Sequence, residues 1–205
     1  MLRGVSDLRR LAVAATDGNL GSVVDLCFDD RSWTVRYLVV DASSWFPDRW
    51  VLISPISVRR SAPDPSILHG ALTKTQVKVS AEAHVPGRWP ERLPQPYALG
   101  HAIGDHARAG EEAHLRAASA AIGYTMQTED GAIGRVQDLL VDDKAWAIRY
   151  LLVDTTNRWA GKRVLVAPEW LTPVSWDASK TFSCIATADC DGPRNGSARP
   201  THARS

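Results

Sequence analysis

The chain has few cysteines, almost no charge excess and no long apolar run. Its three cysteines, Cys27, Cys184 and Cys190, form neither a CxxC pair nor an even-numbered set, which excludes a disulfide framework and suits a reducing compartment. Lys and Arg number 24 against 23 Asp and Glu, which gives a formal net charge of +1. No long-range positive field therefore draws the chain to nucleic acid or to anionic lipid.

Motifs of membrane segments and of enzymes are also missing from the sequence. No apolar stretch approaches the roughly 20 residues that a membrane-spanning helix needs. The N-terminal apolar patch is too short and too interrupted for a signal peptide, and neither a nucleophile motif nor a phosphate-binding loop occurs. We therefore expect a cytoplasmic protein that is not an enzyme and has neither a cofactor nor a transmembrane segment.

The histidines do not form a metal-binding motif. His101, His106 and His114 lie near Asp105 and Glu111 in one stretch of the chain. Their spacing matches no standard set of metal ligands. We interpret this stretch as a solvent-exposed linker and expect no metal site in it.

The main positive feature of the sequence is an internal repeat. The segment GSVVDLCFDDRSWTVRYLVVD starts at Gly21, and GRVQDLLVDDKAWAIRYLLVD starts at Gly134. An offset of 113 residues aligns 17–55 with 130–168 without a gap, and 14 of the first 25 aligned positions are identical. This period is far too long for a solenoid unit, so the repeat indicates duplication of a whole small domain.

Composition divides the chain into four parts. Residues 1–75 and 118–188 each hold one copy of the repeat and are predicted to be separate domains. Residues 76–117 are interrupted by prolines and are predicted to be a mostly irregular linker with room for a short helix. Residues 189–205 are rich in Gly, Pro, Ser and Arg and are predicted to be a disordered tail.

Each copy has the pattern of a β-hairpin followed by a further strand. Runs rich in Val, Tyr, Trp and Leu alternate with turn sequences, which favours a small all-β barrel or sandwich. A hairpin turn centred after Asp30 predicts cross-strand pairs that the two copies share. These pairs are Asp25 with Arg36 and Phe28 with Trp33 in the first copy, and Asp138 with Arg149 and Val141 with Trp146 in the second.

The order of apolar residues conflicts with a regular strand near Asp25. Val23 and Leu26 are both apolar, and the second copy repeats this change of parity between Val136 and Leu139. A β-bulge near Asp25 and its counterpart explains the change, and such a bulge would shift the predicted ion pair by one residue. The remaining repeated acids lie at strand ends and turns, where Asp bonds to nearby backbone: Asp17, Asp29, Asp30 and Asp41.

Both copies of the repeat resemble the PRC-barrel domain. The resemblance rests on the pattern D-G-x-x-G-x-V-x-D, D-x-x-W and R-Y-L-V-V-D, and it covers roughly 6–72 and 118–187. It implies a tandem bacterial PRC-barrel protein, with two small barrels related by duplication and packed with pseudo-twofold symmetry. PRC barrels serve as docking and assembly modules in the reaction-centre H subunit and in a ribosome-maturation factor. The resemblance therefore implies a binding role rather than a reaction.

The residues that we expect to matter form two groups. The structural signature comprises eight repeated residues: Asp25, Trp33, Arg36, Tyr37, Asp138, Trp146, Arg149 and Tyr150. The expected interface comprises loop aromatic residues and one arginine: Trp45, Phe46, Trp50, Trp159 and Arg163. The loop tryptophans are expected to close the barrel ends or to pack the barrels together, with an outward-facing subset available to a partner.

Two kinds of function fit these residues. The first is a non-enzymatic cytoplasmic binding or assembly module that acts through protein–protein contacts, with a partner protein or with a second copy of itself. The alternative is a ribosome- or RNA-associated adaptor, or a small-molecule-binding protein. The adaptor hypothesis predicts a basic face built from Arg36, Arg49, Lys162 and Arg163. Except through a ribosomal complex, we expect no nucleic-acid partner, because the net charge is close to zero.

Overall fold

The structure, a computed structural model, describes residues 1–46, 50–60, 64, 66–80, 114–128, 131–155, 163–172, 176 and 181–184. The predicted tail, 189–205, and residues 81–113 of the predicted linker lie outside these ranges, as does most of the histidine-rich stretch. We call residues 1–80 the first repeat and residues 114–184 the second repeat.

The described part of the first repeat contains seven strands and two helices. The strands are β1 Leu2–Gly4, β2 Ala12–Ala15, β3 Gly18–Asp29, β4 Thr34–Asp41, β5 Trp50–Ile53, β6 Val58–Arg60 and β7 Ile67–Gly70. The helices are α1 Val5–Leu8 and α2 Lys74–Ser80, and a 3-10 turn covers Pro55–Ser57. β4, with the sequence TVRYLVVD, has the β-branched and aromatic residues that favour a strand.

The described part of the second repeat follows the same order of elements from its first strand to its 3-10 turn. Its strands are β8 Leu115–Ala117, β9 Thr125–Thr128, β10 Gly131–Asp142, β11 Ala147–Asp154, β12 Arg163–Val166 and β13 Thr181–Ser183. Helix α3 covers Ala118–Ala121, and a 3-10 turn covers Pro168–Trp170. Across the described part of the chain, no helix has the length and hydrophobicity needed to cross a lipid bilayer.

The strands of both repeats join in one mixed sheet. Among the described residues this sheet has 13 strands, with the order β13-β9-β10-β11-β4-β3-β2-β7-β6 and with β1, β5, β8 and β12 paired beside that path. The pairing is antiparallel except for β2 with β7 and β9 with β13. This mostly β structure confirms the prediction of an all-β protein.

Each long hairpin contains two irregularities, and they change the predicted register. The β3–β4 pairing shifts between Val23 and Asp25 and again between Cys27 and Phe28, and the β10–β11 pairing shifts at the equivalent positions. The first shift confirms the predicted bulge near Asp25. The predicted register was nevertheless wrong, because Phe28 lies opposite Val35 rather than opposite Trp33.

The hairpin turns are stabilised by the repeated acids at the strand ends. Asp29 Oδ1 accepts the N–H groups of Arg31 at 3.0 Å and Ser32 at 2.8 Å. In the second repeat, Asp142 Oδ1 accepts the N–H of Lys144 at 3.1 Å. These bonds confirm that Asp29 acts as a turn residue. Asp30 has a different role, which belongs to the contact between the repeats.

The first strand of each repeat pairs with the other repeat. In the pairing of β1 with β10, Leu2 lies opposite Asp142. In the pairing of β8 with β3, Leu115 lies opposite Asp29. Both pairings keep the offset of 113 residues, so the exchange is reciprocal. The prediction that 115–117 belong to an irregular linker was therefore wrong, because β3 of the first repeat completes their backbone hydrogen bonds.

A cluster of five aromatic rings spans the two repeats. Phe28 stacks on Trp33 with a centroid distance of 5.2 Å, and Trp33 lies 6.2 Å from Phe182. Phe182 in turn lies 4.9 Å from Tyr124 and 5.4 Å from Trp176. The first contact confirms that Phe28 and Trp33 pack together. Because aromatic side chains bury large areas, this cluster is a major part of the shared core.

Candidate functional site

The two repeats meet along a seam of three strand pairings: β1 with β10, β3 with β8, and β4 with β11. At the centre of the seam Thr34 lies opposite Ala147. Two backbone hydrogen bonds of 2.7 Å, donated by Val35 and Ile148, flank this pair. These residues are also related by the 113-residue offset, so the backbone pairing of the seam is equivalent on its two sides.

One buried aspartate of each repeat bonds to a serine of the other repeat. Asp25 accepts a hydrogen bond from the Ser119 hydroxyl and another from the Ser119 N–H at 3.2 Å. Asp138 accepts from the Ser6 hydroxyl at 2.6 Å and from the Ser6 N–H at 3.3 Å. Asp25 is 6% exposed and Asp138 is 8% exposed, so these donors replace the water that burial removes.

The predicted ion pairs Asp25–Arg36 and Asp138–Arg149 are wrong. Asp25 lies opposite Val39 because two irregularities separate it from Arg36 in the ladder. Arg36 Nη2 instead lies 3.7 Å from Asp29 Oδ2. In the second repeat the corresponding distance is 3.8 Å, from Arg149 Nη2 to Asp142 Oδ2. Both arginine side chains are substantially exposed, so these contacts contribute little to stability.

A second acid of each repeat forms an ion pair across the seam. Asp30 Oδ2 lies 2.9 Å from Arg116 Nη2, and Asp30 Oδ1 lies 3.0 Å from His114 Nδ1. The Arg116 guanidinium also lies over the Trp176 ring, 5.4 Å from its centroid. The interpretation of Asp30 as a turn acid was therefore incomplete, because its side chain joins the repeats.

The equivalent ion pair on the other side of the seam is looser. Arg3 Nε lies 3.5 Å from Asp143 Oδ2, and the N-terminal ammonium of Met1 lies 2.8 Å from Asp143 Oδ1. The side chain of Arg3 is 21% exposed, whereas that of Arg116 is 5% exposed. The two ends of the seam therefore use the same chemistry with different degrees of burial.

Burial also raises the pKa of two groups beside the seam. Burial raises the pKa of the Asp25 carboxyl above its ordinary value of 3.8, although hydrogen bonds from Ser119 and Leu26 oppose the shift. Burial raises the pKa of the Cys27 thiol well above its usual value, and the neighbouring Asp25 charge adds to the effect. A buried thiol that keeps its proton is a poor nucleophile, so Cys27 acts as a core residue.

The Asp25→Asn variant should change how stability depends on pH. The native state holds the Asp25 proton more tightly than the unfolded chain does. The wild type therefore loses stability relative to the variant as pH rises from 3.8 through the raised pKa. Urea unfolding of both proteins between about pH 4 and pH 8 measures this difference in the free energy of unfolding. A difference that stays constant or grows in favour of the wild type would contradict the burial of this carboxyl.

The other signature residues lie on the hairpins. Tyr37 and Tyr150 occupy equivalent places on β4 and β11 and are partly buried. Trp33 and Trp146 both have a positive φ, of 53° and 50°, at the ends of their turns. Such a backbone is uncommon for a bulky residue. The carbonyls of these two tryptophans accept backbone hydrogen bonds across the seam, from Ile148 and Val35, so the two equivalent turns also contribute to the contact between the repeats.

A second candidate site, the aromatic–lysine patch, consists of Trp45, Phe46, Lys74 and Lys78. The rings of Trp45 and Phe46 stack with a centroid distance of 5.7 Å. Lys74 Nζ lies over the Trp45 ring at 5.7 Å, and Lys78 Nζ lies over the Phe46 ring at 5.8 Å. Both rings are partly exposed, so the patch combines aromatic surface with two positive charges on the outside of the first repeat.

The backbone and side chains around the patch hold it in place. Trp45 Nε1 donates a 2.8 Å hydrogen bond to the Leu20 carbonyl. Helix α2 begins with a capping box in which the Thr73 N–H donates to Gln76 Oε1 at 2.8 Å and Gln76 N–H donates to Thr73 Oγ1 at 3.2 Å. These two bonds make Thr73 the N-cap of α2. The Lys74 N–H also donates to Asp17 at 2.9 Å, which ties the helix to the sheet.

The remaining residues of the expected interface and of the expected basic face are dispersed. Trp50 is partly exposed on β5, and Arg163 is exposed on β12 of the other repeat. Trp159, Arg49 and Lys162 lie outside the described residues. The structure thus brings Trp45 and Phe46 together, whereas Trp50 and Arg163 belong to separate strands, β5 and β12.

A metal site is not apparent in the described ranges, where no group of three or more His, Cys, Asp or Glu side chains is arranged to hold an ion. Comparisons with protein-family models and with curated proteins found no match for this chain.

Sequence reasoning missed the serines and arginines of the seam. Ser6 and Ser119 obey the same 113-residue offset as the hairpins, and so do Arg3 and Arg116. The two segments read RGVS and RAAS. This shared R-x-x-S pattern is the signal that could have identified them, had the repeat been followed upstream of Asp17.

Proposed function

We propose that the chain consists of two PRC-type barrels related by duplication and packed with pseudo-twofold symmetry, and that it is a non-enzymatic binding module for a partner protein. Duplication is supported by the shared register of the two hairpins, which includes both irregularities. The packing is supported by the reciprocal strand exchange and by the equivalent Asp–Ser bonds across the seam.

The repeated acids argue for a structural role rather than a reaction. Asp25, Asp29 and Asp138 accept hydrogen bonds from backbone N–H and serine hydroxyl groups within the fold. Asp30 is paired with Arg116. These interactions use the carboxylates to hold the strands and the two repeats together, which suits a rigid scaffold that presents surfaces to a partner.

The aromatic–lysine patch is the observation that carries the binding role. Aromatic rings that are already held in place lose little conformational freedom when a partner covers them, and such residues dominate the energy of protein interfaces. The Trp45 side chain is fixed by its bond to Leu20, and Lys74 and Lys78 lie one helical turn apart above the two rings. A partner segment with an apolar side chain beside a carboxylate matches this surface.

Charge reversal of the patch tests this function. The tagged full-length chain is compared with Lys74→Glu/Lys78→Glu and with a control, Arg31→Glu/Lys144→Glu, which changes the net charge equally at exposed turn positions. After chemical cross-linking in cells and affinity purification, we expect one set of proteins with the wild type and the control. The patch variant should recover that set at about one tenth of the wild-type amount or below, which corresponds to a loss of roughly 1.4 kcal/mol of binding free energy.

Two results would contradict the proposed function. Equal recovery with all three chains would show that the patch does not bind the partner. Recovery that disappears after nuclease treatment would show that RNA mediates the association, as the adaptor hypothesis requires. Circular dichroism of both charge-reversed chains checks that the fold is kept.

A further inference from the structure

The seam leaves each repeat incomplete on its own. Strand β3 receives a pairing partner over 27–29 from β8, and β10 receives one over 140–142 from β1. The buried carboxylates of Asp25 and Asp138 receive their serine donors from the opposite repeat. Opening the seam would expose two strand edges and remove those donors from both acids. A repeat separated from its partner therefore presents a surface that pairs again.

A second copy of the chain offers the same pairing surface. Within one chain, β1 of the first repeat pairs with β10 of the second. In the same way Ser6 donates to Asp138, and Thr34 lies opposite Ala147. These contacts are made by residues of the repeats themselves, so they form equally well between two chains. Residues 81–113 join the repeats, and a chain of that length reaches roughly 100 Å when extended.

We propose that two copies of this chain form a dimer by reciprocal exchange, in which the first repeat of each copy closes a seam with the second repeat of the other. The dimer contains two seams with the contacts of the single chain, so exchange keeps the hydrogen bonds and buried contacts that the described residues make across the seam. This inference rests on the seam and is independent of the partner that the aromatic–lysine patch binds.

The protein concentration during folding decides between the two forms. Two modules joined by a short flexible connector meet at an effective concentration of the order of 1 mM, and a longer connector, such as the 33 residues 81–113, lowers this value. The monomer, with its seam closed within one chain, is therefore favoured in dilute solution. The exchanged dimer forms in competition with it when the protein concentration during folding approaches the effective concentration. Once formed, the dimer persists after dilution, because a seam must open before the repeats can return to their own chains.

Thr34 and Ala147 allow the paired chains to be identified covalently. They lie directly opposite each other, are partly exposed, and sit between two backbone hydrogen bonds across the seam. At a pair of this kind the two Cα atoms are close enough for a disulfide bond. Thr34→Cys together with Ala147→Cys therefore links the two sides of whichever seam has formed, within one chain or between two.

The experiment uses the full-length double-cysteine variant, with Cys190→Ser to remove a cysteine outside the described residues. The chain is unfolded in guanidinium with a reductant, refolded at about 1 µM or about 1 mM, then oxidised and analysed on a non-reducing denaturing gel. We expect a cross-linked monomer at the low concentration. At the high concentration the fraction of cross-linked dimer should be at least about tenfold larger.

Several outcomes would overturn the proposal. A cross-linked monomer alone at both concentrations would show that the seam closes only within a chain. Failure to cross-link at all would show that Thr34 and Ala147 do not face each other. A dimer on size exclusion without a cross-link between chains would place the dimer contact on another surface.

Single-cysteine chains and the unsubstituted chain provide the controls. One control chain carries only Thr34→Cys and another carries only Ala147→Cys. In an exchanged dimer of either chain the new thiol faces an unsubstituted residue, so neither chain should cross-link. A cross-linked dimer of either would mean that like repeats pair, which contradicts exchange.

The unsubstituted chain, refolded at about 1 mM and then diluted, should keep a dimeric mass by light scattering. A monomeric mass alone would count against the proposal whatever the variants do.

Discussion

Replacing Arg116 with Met should lower the free energy of unfolding by about 3 kcal/mol, because it leaves the Asp30 carboxylate buried without its main counter-charge. The two side chains are 5% and 8% exposed, and their charged atoms are 2.9 Å apart. The substitution also removes the hydrogen bond from Arg116 Nη1 to the Leu115 carbonyl and the contact with the Trp176 ring. Urea unfolding at neutral pH measures the loss.

The matched control for this prediction is Arg3→Met at the equivalent place in the other repeat. The Arg3 contact is longer, at 3.5 Å, and more exposed, and the N-terminal ammonium also faces Asp143. We therefore expect a cost of about 1 kcal/mol or less. Adding Asp30→Asn to Arg116→Met should recover part of the loss, because no unpaired charge remains. Equal and small losses for Arg116→Met and Arg3→Met would rule out a buried ion pair at the seam.

Gly134→Ala should be comparably destabilising, by about 3 kcal/mol or more. A Cβ at this position would lie 2.0 Å from the Asp154 carbonyl oxygen, which belongs to the backbone of the paired strand. The two strands must therefore separate by about 1 Å or more, which disturbs both the ladder and the core behind it. Thermal and urea unfolding of the variant provide the measurement.

Gly123→Ala separates this steric effect from backbone strain. Gly123 has a φ of +88° and no atom within 4 Å of an added Cβ, so its substitution costs only the strain of a positive φ, about 1 kcal/mol. Gly134 has no positive φ, and its cost comes from the close approach alone. A loss of unfolding free energy for Gly134→Ala no larger than that for Gly123→Ala would contradict the close packing of β10 against β11.

The sequence was sufficient to predict the local elements of the fold. The change of apolar parity around Asp25 predicted a bulge in both copies, and the turn acids predicted the hairpins. The register was harder to predict, because the second irregularity, at Arg36, is followed by an unbroken apolar run from Tyr37 to Val40 that obscures the change of parity between Val35 and Leu38. A run of this kind does not show which of its residues face the core, so nothing in it indicated that the partner of Arg36 is Asp29 rather than Asp25.

The seam could not be predicted because a repeat reveals which residues are equivalent but not which copy they contact. The Ser6–Asp138 bond joins residues 132 positions apart, and the Ser119–Asp25 bond joins residues 94 positions apart. A hairpin is determined by neighbours in sequence, whereas an exchanged strand depends on packing between distant segments. The same reason explains why β8 resembled a linker: its Arg116 acquires a partner only after the two repeats meet.

Part of the candidate interface was predictable and part was not. Trp45 and Phe46 stood out as aromatic residues in a loop that the two copies do not share. Lys74 and Lys78 did not, because their contact with those rings depends on the position at which α2 packs against the sheet. Aromatic loop residues therefore indicated the place of the patch, and the helix supplied its charge.

Double-mutant cycles between the buried acids and the two serines test the central claim, which is that each acid depends on the opposite repeat. Asp25→Asn with Ser119→Ala, and Asp138→Asn with Ser6→Ala, should each show a coupling free energy of about 1 kcal/mol or more. The cycles that combine acid and serine of the same repeat, Asp25 with Ser6 and Asp138 with Ser119, should show less than about 0.3 kcal/mol. The reverse pattern, with coupling inside each repeat and none between repeats, would contradict the account.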